Sequence, residues 1–183
     1  MNLRSLLNLL LILGLVTLAR TDETVPPATV GFAPQLEALA SYVGKTWRGE
    51  FADSTPGNPK VDVQSWERIL NGQAIRVLHS INDGEYGGET IIVWDEAKQS
   101  LVYWYFTTAG FQTQGTLIAG DKQYSSHEFV TGTADGITEV EGLCIRARNG
   151  ERVSRTRYLQ NGAWVEGHTI TYKEDPTAVV RFR

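Results

Sequence analysis

The stretch RTRYLQNGAWVEGH, residues 155–168, concentrates side chains that can bind ions or transfer protons. Its Asn161-Gly162 pair predicts a type I′ hairpin turn, because both central positions of that turn need a positive φ. Arginine binds carboxylates and other anions, and histidine exchanges protons near neutral pH. The spacing of these residues around one turn indicates that they lie close together on two paired strands.

Counting outwards from the turn sets Arg157 opposite Glu166 and Arg155 opposite His168. Trp164 lies on the same face, and its apolar weight predicts that this face points into the folded interior. Buried charges are costly unless they are paired or completed by a ligand. The alternative is a solvated ladder of ion pairs on a fully packed domain.

A second hairpin, WERILNGQAI at residues 66–75, carries the same turn signal. Its register pairs Trp66 with Val77 and Gln64 with His79, and the Trp66 face is predicted to point inward with Arg68 and His79 on it. Together, the two hairpins predict one cavity with a tryptophan-rich wall and a polar patch. The predicted ligand-binding residues are Trp66, Arg68, His79, Arg155, Arg157, Trp164, Glu166 and His168.

The elements around these residues alternate with period two, which is typical of strands. Strands are predicted near 46–52, 61–70, 73–81, 87–94, 100–107, 111–119, 122–130, 136–147, 151–160 and 163–173. About ten antiparallel strands joined by hairpins favour an all-β, up-and-down barrel, because closure removes exposed edges. A short helix that begins at Pro34 and ends before Gly44 is predicted to close one end.

The ends of the chain differ in character. Residues 1–19 have a basic start, an apolar run and a small-residue cleavage site, which predicts a signal peptide rather than an uncleaved anchor, and so a periplasmic or secreted protein. Residues 20–32 are predicted to form a flexible tether before a single domain at 33–183. Cys144 is the only cysteine, so no internal disulfide can form.

The composition limits the possible partners. The chain has 183 residues, a formal net charge of −4 and a pI near 5.4, and it lacks a Lys/Arg-rich run, which argues against nucleic acid as a partner. It also lacks the common nucleophile, nucleotide and zinc motifs. His127, placed by a predicted turn at Gly120-Asp121, is expected to point outward. No catalytic residue, metal site or resident cofactor is therefore predicted.

The order of elements resembles the calycin-like barrels, and most of all a group of secreted bacterial lipocalin-like proteins. The resemblance rests on a Gly-x-x-Trp start at Gly44–Trp47, on WERILNGQAI, on VWDEAKQSLVYWYFTTAGF and on RYLQNGAWVEGHTITYK. It covers roughly residues 33–173 and implies the barrel fold, while such barrels include carriers, binders and enzymes.

Departures from neighbouring families limit what can be transferred. Lipocalins have one residue between the Gly and the Trp, and here there are two. Fatty-acid carriers hold a carboxylate with Arg-x-Tyr, whereas Arg157 directly precedes Tyr158. Haem-binding barrels of the nitrobindin type use a late histidine, which would be His168 here, so haem stays as an alternative cofactor.

The expected function is binding of a small hydrophobic or amphipathic molecule with a polar or anionic group. Arg68, Arg155 and Arg157 would orient that group, so Arg157→Leu should weaken binding more than stability. A cavity enzyme of cyclase or isomerase type, with His79 or His168 as acid–base group, is the first alternative. A filled barrel that acts through its surface in the cell envelope is the second.

Overall fold

A computed structural model describes residues 31–132 and 134–183. The predicted signal peptide and residues 20–30 of the predicted tether lie outside the described residues. The described chain has one N-terminal 3₁₀ helix, Pro34–Tyr42, and a 3₁₀ turn at Leu70–Gly72. Its strands are β1 Lys45–Phe51, β2 Val61–Ile69, β3 Ala74–Ile81, β4 Tyr86–Asp95, β5 Ser100–Thr107, β6 Gln112–Ala119, β7 Gln123–Thr131, β8 Ile137–Arg146, β9 Arg152–Gln160 and β10 Ala163–Glu174.

The strands form a closed antiparallel barrel in which each strand pairs with its sequence neighbours and β10 returns to pair with β1. The closing ladder runs from Trp47 opposite Glu174 to Phe51 opposite Ile170. Closure satisfies the backbone groups that an open sheet leaves at its edges. The predicted all-β up-and-down barrel of about ten strands is confirmed.

The N-terminal helix closes one end of the barrel. Its buried residues are Leu36, Leu39 and Tyr42, three apart, which is the period of a 3₁₀ helix rather than of the α-helical pattern in the sequence. Pro34 begins the helix, and Gly44, at φ 74°, turns the chain into β1. The predicted helix, which begins at Pro34 and ends before Gly44, is confirmed.

The Asn-Gly turns fix the register of two hairpins. Asn71 and Gly72 have φ of 54° and 87°, and Asn161 and Gly162 have φ of 51° and 83°, as type I′ geometry requires. In the β2–β3 hairpin the predicted pairs are all present, including Trp66 with Val77 and Gln64 with His79.

The β6–β7 turn lies one residue later than predicted. Ala119 pairs with Tyr124, and the Gly120 N–H donates to the Gln123 carbonyl, so the turn is centred on Asp121-Lys122. The pairing therefore shifts by two residues, which preserves the face of every side chain. His127 lies on the outer face as predicted.

The chain after β10 crosses the outside of the barrel. The Arg181 N–H donates to the Ser80 hydroxyl at 3.0 Å, and the Arg183 guanidinium donates to the Asp83 carbonyl at 3.1 Å. These contacts tie the C-terminal residues to β3 and to the loop that follows it.

Candidate functional site

The barrel interior, called the lumen here, has two dissimilar halves. The half under the helix is closed by apolar side chains that include Trp47, Trp66 and Ile75, each at most 4% exposed. In the other half, the inward-facing Tyr86, Tyr105 and neighbouring side chains are only partly buried. This second half, the open half, therefore has surface that a small molecule can reach.

A buried carboxylate lies at the boundary between the halves. Asp62 on β2 is 2% exposed. Its oxygens accept hydrogen bonds from the Tyr172 hydroxyl at 2.7 Å, from the Gln64 amide at 3.1 Å and from a ring nitrogen of His79 at 2.8 Å. Three donors satisfy a charge that would otherwise be costly to bury.

A chain of hydrogen bonds leads from Asp62 into the open half. His79 Nδ1 bonds the Asp62 carboxylate, and His79 Nε2 bonds the Tyr105 hydroxyl at 2.7 Å. The Tyr105 hydroxyl in turn bonds the Tyr86 hydroxyl at 2.8 Å. Burial raises the pKa of both tyrosines, so both keep their protons. We call Asp62, His79, Tyr105 and Tyr86 the relay.

Two glycines leave room for the hydrogen bonds of Asp62 and of the relay. In the register, Gly49 lies between Asp62 on β2 and Tyr172 on β10, and a Cβ at Gly49 would overlap the Tyr172 ring. The ring therefore passes over β1 to reach Asp62. Gly88 pairs with His79, and a Cβ there would overlap the Tyr105 ring, which crosses β4 in the same way.

A second carboxyl group faces the open half from β7. Glu128 Oε2 accepts a hydrogen bond from the Thr113 hydroxyl at 2.5 Å, and the Tyr103 hydroxyl also donates to this carboxyl. Burial raises the pKa of Glu128. Thr113, which bonds Glu128, pairs with Tyr105 in the register, so Glu128 lies beside the relay.

His168 lies at the mouth of the open half. Its ring meets the rings of Phe51 and Tyr158 edge-on, at centroid distances of 5.1 and 5.8 Å. Partial burial lowers the pKa of His168, although the nearby Asp53 opposes this shift. Aromatic rings therefore border the opening through which a ligand would enter.

Three of the predicted site residues lie on the inner face. Trp66 is buried and donates from its indole N–H to Gln64 at 3.1 Å. His79 belongs to the relay. Arg68 lies near the helix end, where its guanidinium donates to the Gly31 carbonyl at 2.9 and 3.0 Å. The inward placement of Trp66 and His79 is confirmed, whereas Arg68 lies far from the open half.

The predicted inward face of the β9–β10 hairpin is wrong. Glu166 does pair with Arg157, but Arg155 pairs with Thr169 instead of His168. A β-bulge sets Gly167 and His168 together opposite Thr156, so side chains on either side of it change face. Thr156 stabilises the bulge by accepting the His168 N–H at 2.8 Å.

Four predicted residues lie on the outer face, and all four are exposed. On β9, Arg155 and Arg157 alternate with inward residues, and Glu166 shares the face of its partner Arg157. The Arg157 guanidinium bonds Glu141 at 2.5 Å and lies 4.8 Å from the centroid of the Trp164 ring. Arg155, Arg157 and Glu166 help to line an outer groove with a volume of about 460 Å³. Of the site residues predicted on the β9–β10 hairpin, only His168 lies at the mouth of the barrel. The outward residues are Arg155, Arg157, Trp164 and Glu166.

Several site residues were not predicted from the sequence. The alternation of side chains between the two faces of a strand nevertheless indicated two of them. Asp62 lies on the same face as Gln64 and Trp66, two residues away at each step. Glu128 directly follows the outward His127 and must therefore point inward. The contacts of Tyr105 and Tyr172 each cross a whole strand, diagonally over β4 for Tyr105 and directly over Gly49 for Tyr172, so pairing between neighbouring strands does not show them.

The helix half also contains an unforeseen cation. Arg152 is 4% exposed, and its guanidinium lies 4.1 Å from the ring centroid of Tyr42 and 5.0 Å from that of Trp47. It donates to the Ser41 hydroxyl at 3.1 Å. This stacking joins the helix to β1 and β9, so Arg152 has a structural position away from the open half.

Two further kinds of site were sought in the described residues. Nowhere in 31–132 or 134–183 do three or more His, Cys, Asp or Glu side chains gather as a metal site requires. Across the same residues, no helix has the length and apolar character needed to cross a membrane.

Comparisons with known proteins support the fold. No family model matches the sequence. No curated protein matches it either. Among solved structures, the barrel is similar to the crystal structure of Rv2717c from M. tuberculosis, with a TM-score of 0.58 and 13% sequence identity over 79% of this chain and 99% of that one. At this identity the likeness shows a shared ten-strand β-barrel fold and no common ligand or role.

Proposed function

We propose that this chain is an exported lipocalin-like barrel that binds a small, mainly apolar ligand with a polar group in the open half of its lumen. The observation that carries the proposal is the relay, which runs from the buried Asp62 to Tyr86 beside partly exposed aromatic rings. Apolar walls with a few fixed polar groups are typical of small-molecule sites.

The groups that would orient the ligand differ from those expected from the sequence. Arg155 and Arg157 lie outside the lumen, and Arg68 bonds the chain beside the helix. The polar end of the ligand would instead meet Tyr86, Glu128 and the mouth residue His168. Export rests on the signal sequence in residues 1–19.

The proposal is tested by native mass spectrometry of the protein purified from the organism's own envelope fraction. A native mass above the denatured mass is expected, together with an N-terminus at residue 20. The excess mass would identify the ligand, and a haem mass would favour the His168 alternative. A bare mass with an uncleaved N-terminus would contradict both parts and favour a barrel that acts through its surface.

A matched pair of variants locates the bound molecule. Val140 is an inner-face residue between Glu128 and Tyr158, so Val140→Trp should fill the open half and abolish retention. Leu159 lies on the outer face beside Trp164, so Leu159→Trp should retain the ligand. Equal retention by the two variants would place the ligand elsewhere, for example in the outer groove.

The relay also favours a second function, a cavity enzyme. An Asp–His pair that ends in tyrosine hydroxyls can move a proton to or from a bound substrate. Both ring nitrogens of His79 are engaged, so the exchange would pass through Tyr86. Incubation with a small-molecule extract should then show a compound consumed by the protein but not by its Tyr86→Phe variant.

A further inference from the structure

The relay has a direction that fixes what its open end offers. A carboxylate only accepts hydrogen bonds, so His79 Nδ1 must carry the proton in its bond to Asp62. In neutral His79, Nε2 then accepts from Tyr105, and the Tyr105 oxygen accepts from Tyr86. The Tyr86 proton is then engaged in the hydrogen bond to the Tyr105 oxygen. With His79 neutral, the Tyr86 oxygen therefore presents only lone pairs to the lumen.

Glu128 adds a second acceptor to the same space. Thr113 and Tyr103 donate to the Glu128 carboxyl group. The remaining lone pairs of this group face the open half of the lumen. In the register Val140 lies between Glu128 and Tyr158 on the inner face. Thr113, which bonds Glu128, pairs with Tyr105, the hydrogen-bond partner of Tyr86. Burial raises the pKa of Glu128 because taking a carboxylate charge out of water is costly, and this effect outweighs its hydrogen bonds.

The charges around this space match a cation better than an anion. Arg155 and Arg157 are on the outer face, and Arg152 is stacked behind the helix. At the mouth, burial lowers the pKa of His168, which favours its neutral form at physiological pH. An anionic group would thus face carboxyl groups and lone pairs.

The aromatic side chains offer a further contact to a cation. The rings of Tyr86 and Phe111 are stacked with centroids 6.5 Å apart, and Tyr158 lies across the mouth beside His168. A cation held over such ring faces is attracted by the negative face of the ring quadrupole, and partial desolvation strengthens this attraction. Ring faces, a carboxyl group and an acceptor hydroxyl together form a cage for an amine.

We infer that the lumen accepts amphiphiles whose polar end is a primary amine or ammonium group, with the nitrogen between Glu128 and Tyr86. This inference rests on the proposed function, since it names the ligand class of the same site. The apolar body of the ligand would extend among the aromatic rings towards the mouth.

The test uses three probes with the same ten-carbon chain, namely decylamine, decanol and decanoate, in calorimetric titrations of the mature chain at pH 7. Decylamine should bind about tenfold or more tightly than decanoate, with decanol between them. Decanoate binding as tightly as decylamine would overturn the inference and leave the proposed function standing. Failure of all three probes to bind would overturn the proposed function as well.

Measuring the protons released on binding tests whether Glu128 causes the preference for amines. An ammonium group beside Glu128 opposes the effect of burial and lowers the pKa of Glu128, so titrations in two buffers of different ionisation enthalpy should show net proton release on decylamine binding. Glu128→Gln should abolish the release and reduce the amine preference about tenfold. Glu139→Gln, on the outer face beside His127, should change neither quantity. Unchanged release in Glu128→Gln would contradict the assignment.

Discussion

Asp62 and Tyr172, 110 residues apart in the chain, share a 2.7 Å hydrogen bond across the intervening β1. The bond exists because Gly49 stands between them and leaves room for the tyrosine ring. Gly88 does the same for the bond between His79 and Tyr105. The polar interior of the barrel therefore depends on two residues that have no side chain.

The first prediction concerns these glycines. Gly49→Ala and Gly88→Ala should each lower the free energy of unfolding by about 1–3 kcal/mol, because the new Cβ overlaps a ring. Urea denaturation measures the loss. Gly57→Ala is the control, since nothing lies within 4 Å of a Cβ there. Losses equal to that of Gly57→Ala would mean that the rings do not cross the strands as described.

The buried carboxylate gives a second prediction. Asp62→Asn should destabilise the protein by about 1–3 kcal/mol, because an amide NH₂ would face donors that now bond a carboxylate. The exposed Asp53 pairs with Lys60, and Asp53→Asn should cost clearly less, because surface ion pairs contribute little to stability. The two unfolding curves can be compared directly. An equal cost for both would show that the relay contributes little to stability.

A third prediction distinguishes a ligand bound in the lumen from one bound on the outer surface. Tyr86→Phe removes the hydroxyl at the open end of the relay and should weaken ligand binding about tenfold with little loss of stability. Arg157→Leu, expected from the sequence to weaken binding, should now leave affinity unchanged, because Arg157 bonds Glu141 on the outer face. Titrations of both variants with decylamine provide the measurement, and the reverse pattern would place the ligand outside the barrel.

The fourth prediction concerns pH. The pKa of Glu128 is raised above its ordinary 4.5 by burial, so its protonated form stabilises the fold at low pH. That contribution is lost as the pH rises through the raised pKa. Relative to the native protein, Glu128→Gln should therefore gain stability between pH 4 and pH 8, as measured by urea denaturation. Parallel pH profiles would show that Glu128 is not buried in solution.

The fifth prediction concerns the single thiol. Cys144 is 2% exposed under the helix, its Sγ lies 3.8 Å from the Tyr42 hydroxyl, and burial raises its pKa. Alkylation by iodoacetamide should be slow in the native state and fast in urea. Mass spectrometry of quenched samples reports both rates. Rapid labelling of the folded protein would indicate that the helix leaves the barrel end.

The accuracy of the sequence predictions depended on local turn signals. Asn71-Gly72 fixed the register of β2 with β3, and Trp66 and His79 were placed inside correctly for that reason. Asn161-Gly162 fixed the register of β10 near the turn, but apolar weight assigned Trp164 and Glu166 to the wrong face, and only the bulge beyond them turns His168 towards the end of the barrel. An isolated glycine within a strand can mark a bulge, and Gly167 was that signal.

The site itself was predicted only in part. His79 was identified, whereas its partners Asp62 and Tyr105 were not. The contacts that pass over Gly49 and Gly88 depend on where a tyrosine ring lies above an intervening strand. Pairing rules describe only adjacent strands and do not predict such contacts. Charged residues near a turn were more conspicuous in the sequence than the tyrosines that line the lumen.

The closure of β10 onto β1 also governs when the protein can fold. Lys45 and Glu174 form a 2.8 Å salt bridge at this closing ladder, although they are 129 residues apart. Until the last strand has left the ribosome, β1 lacks one of its neighbours, and such long-range pairing is intrinsically slow. The barrel of a nascent chain therefore cannot close before β10 has been synthesised.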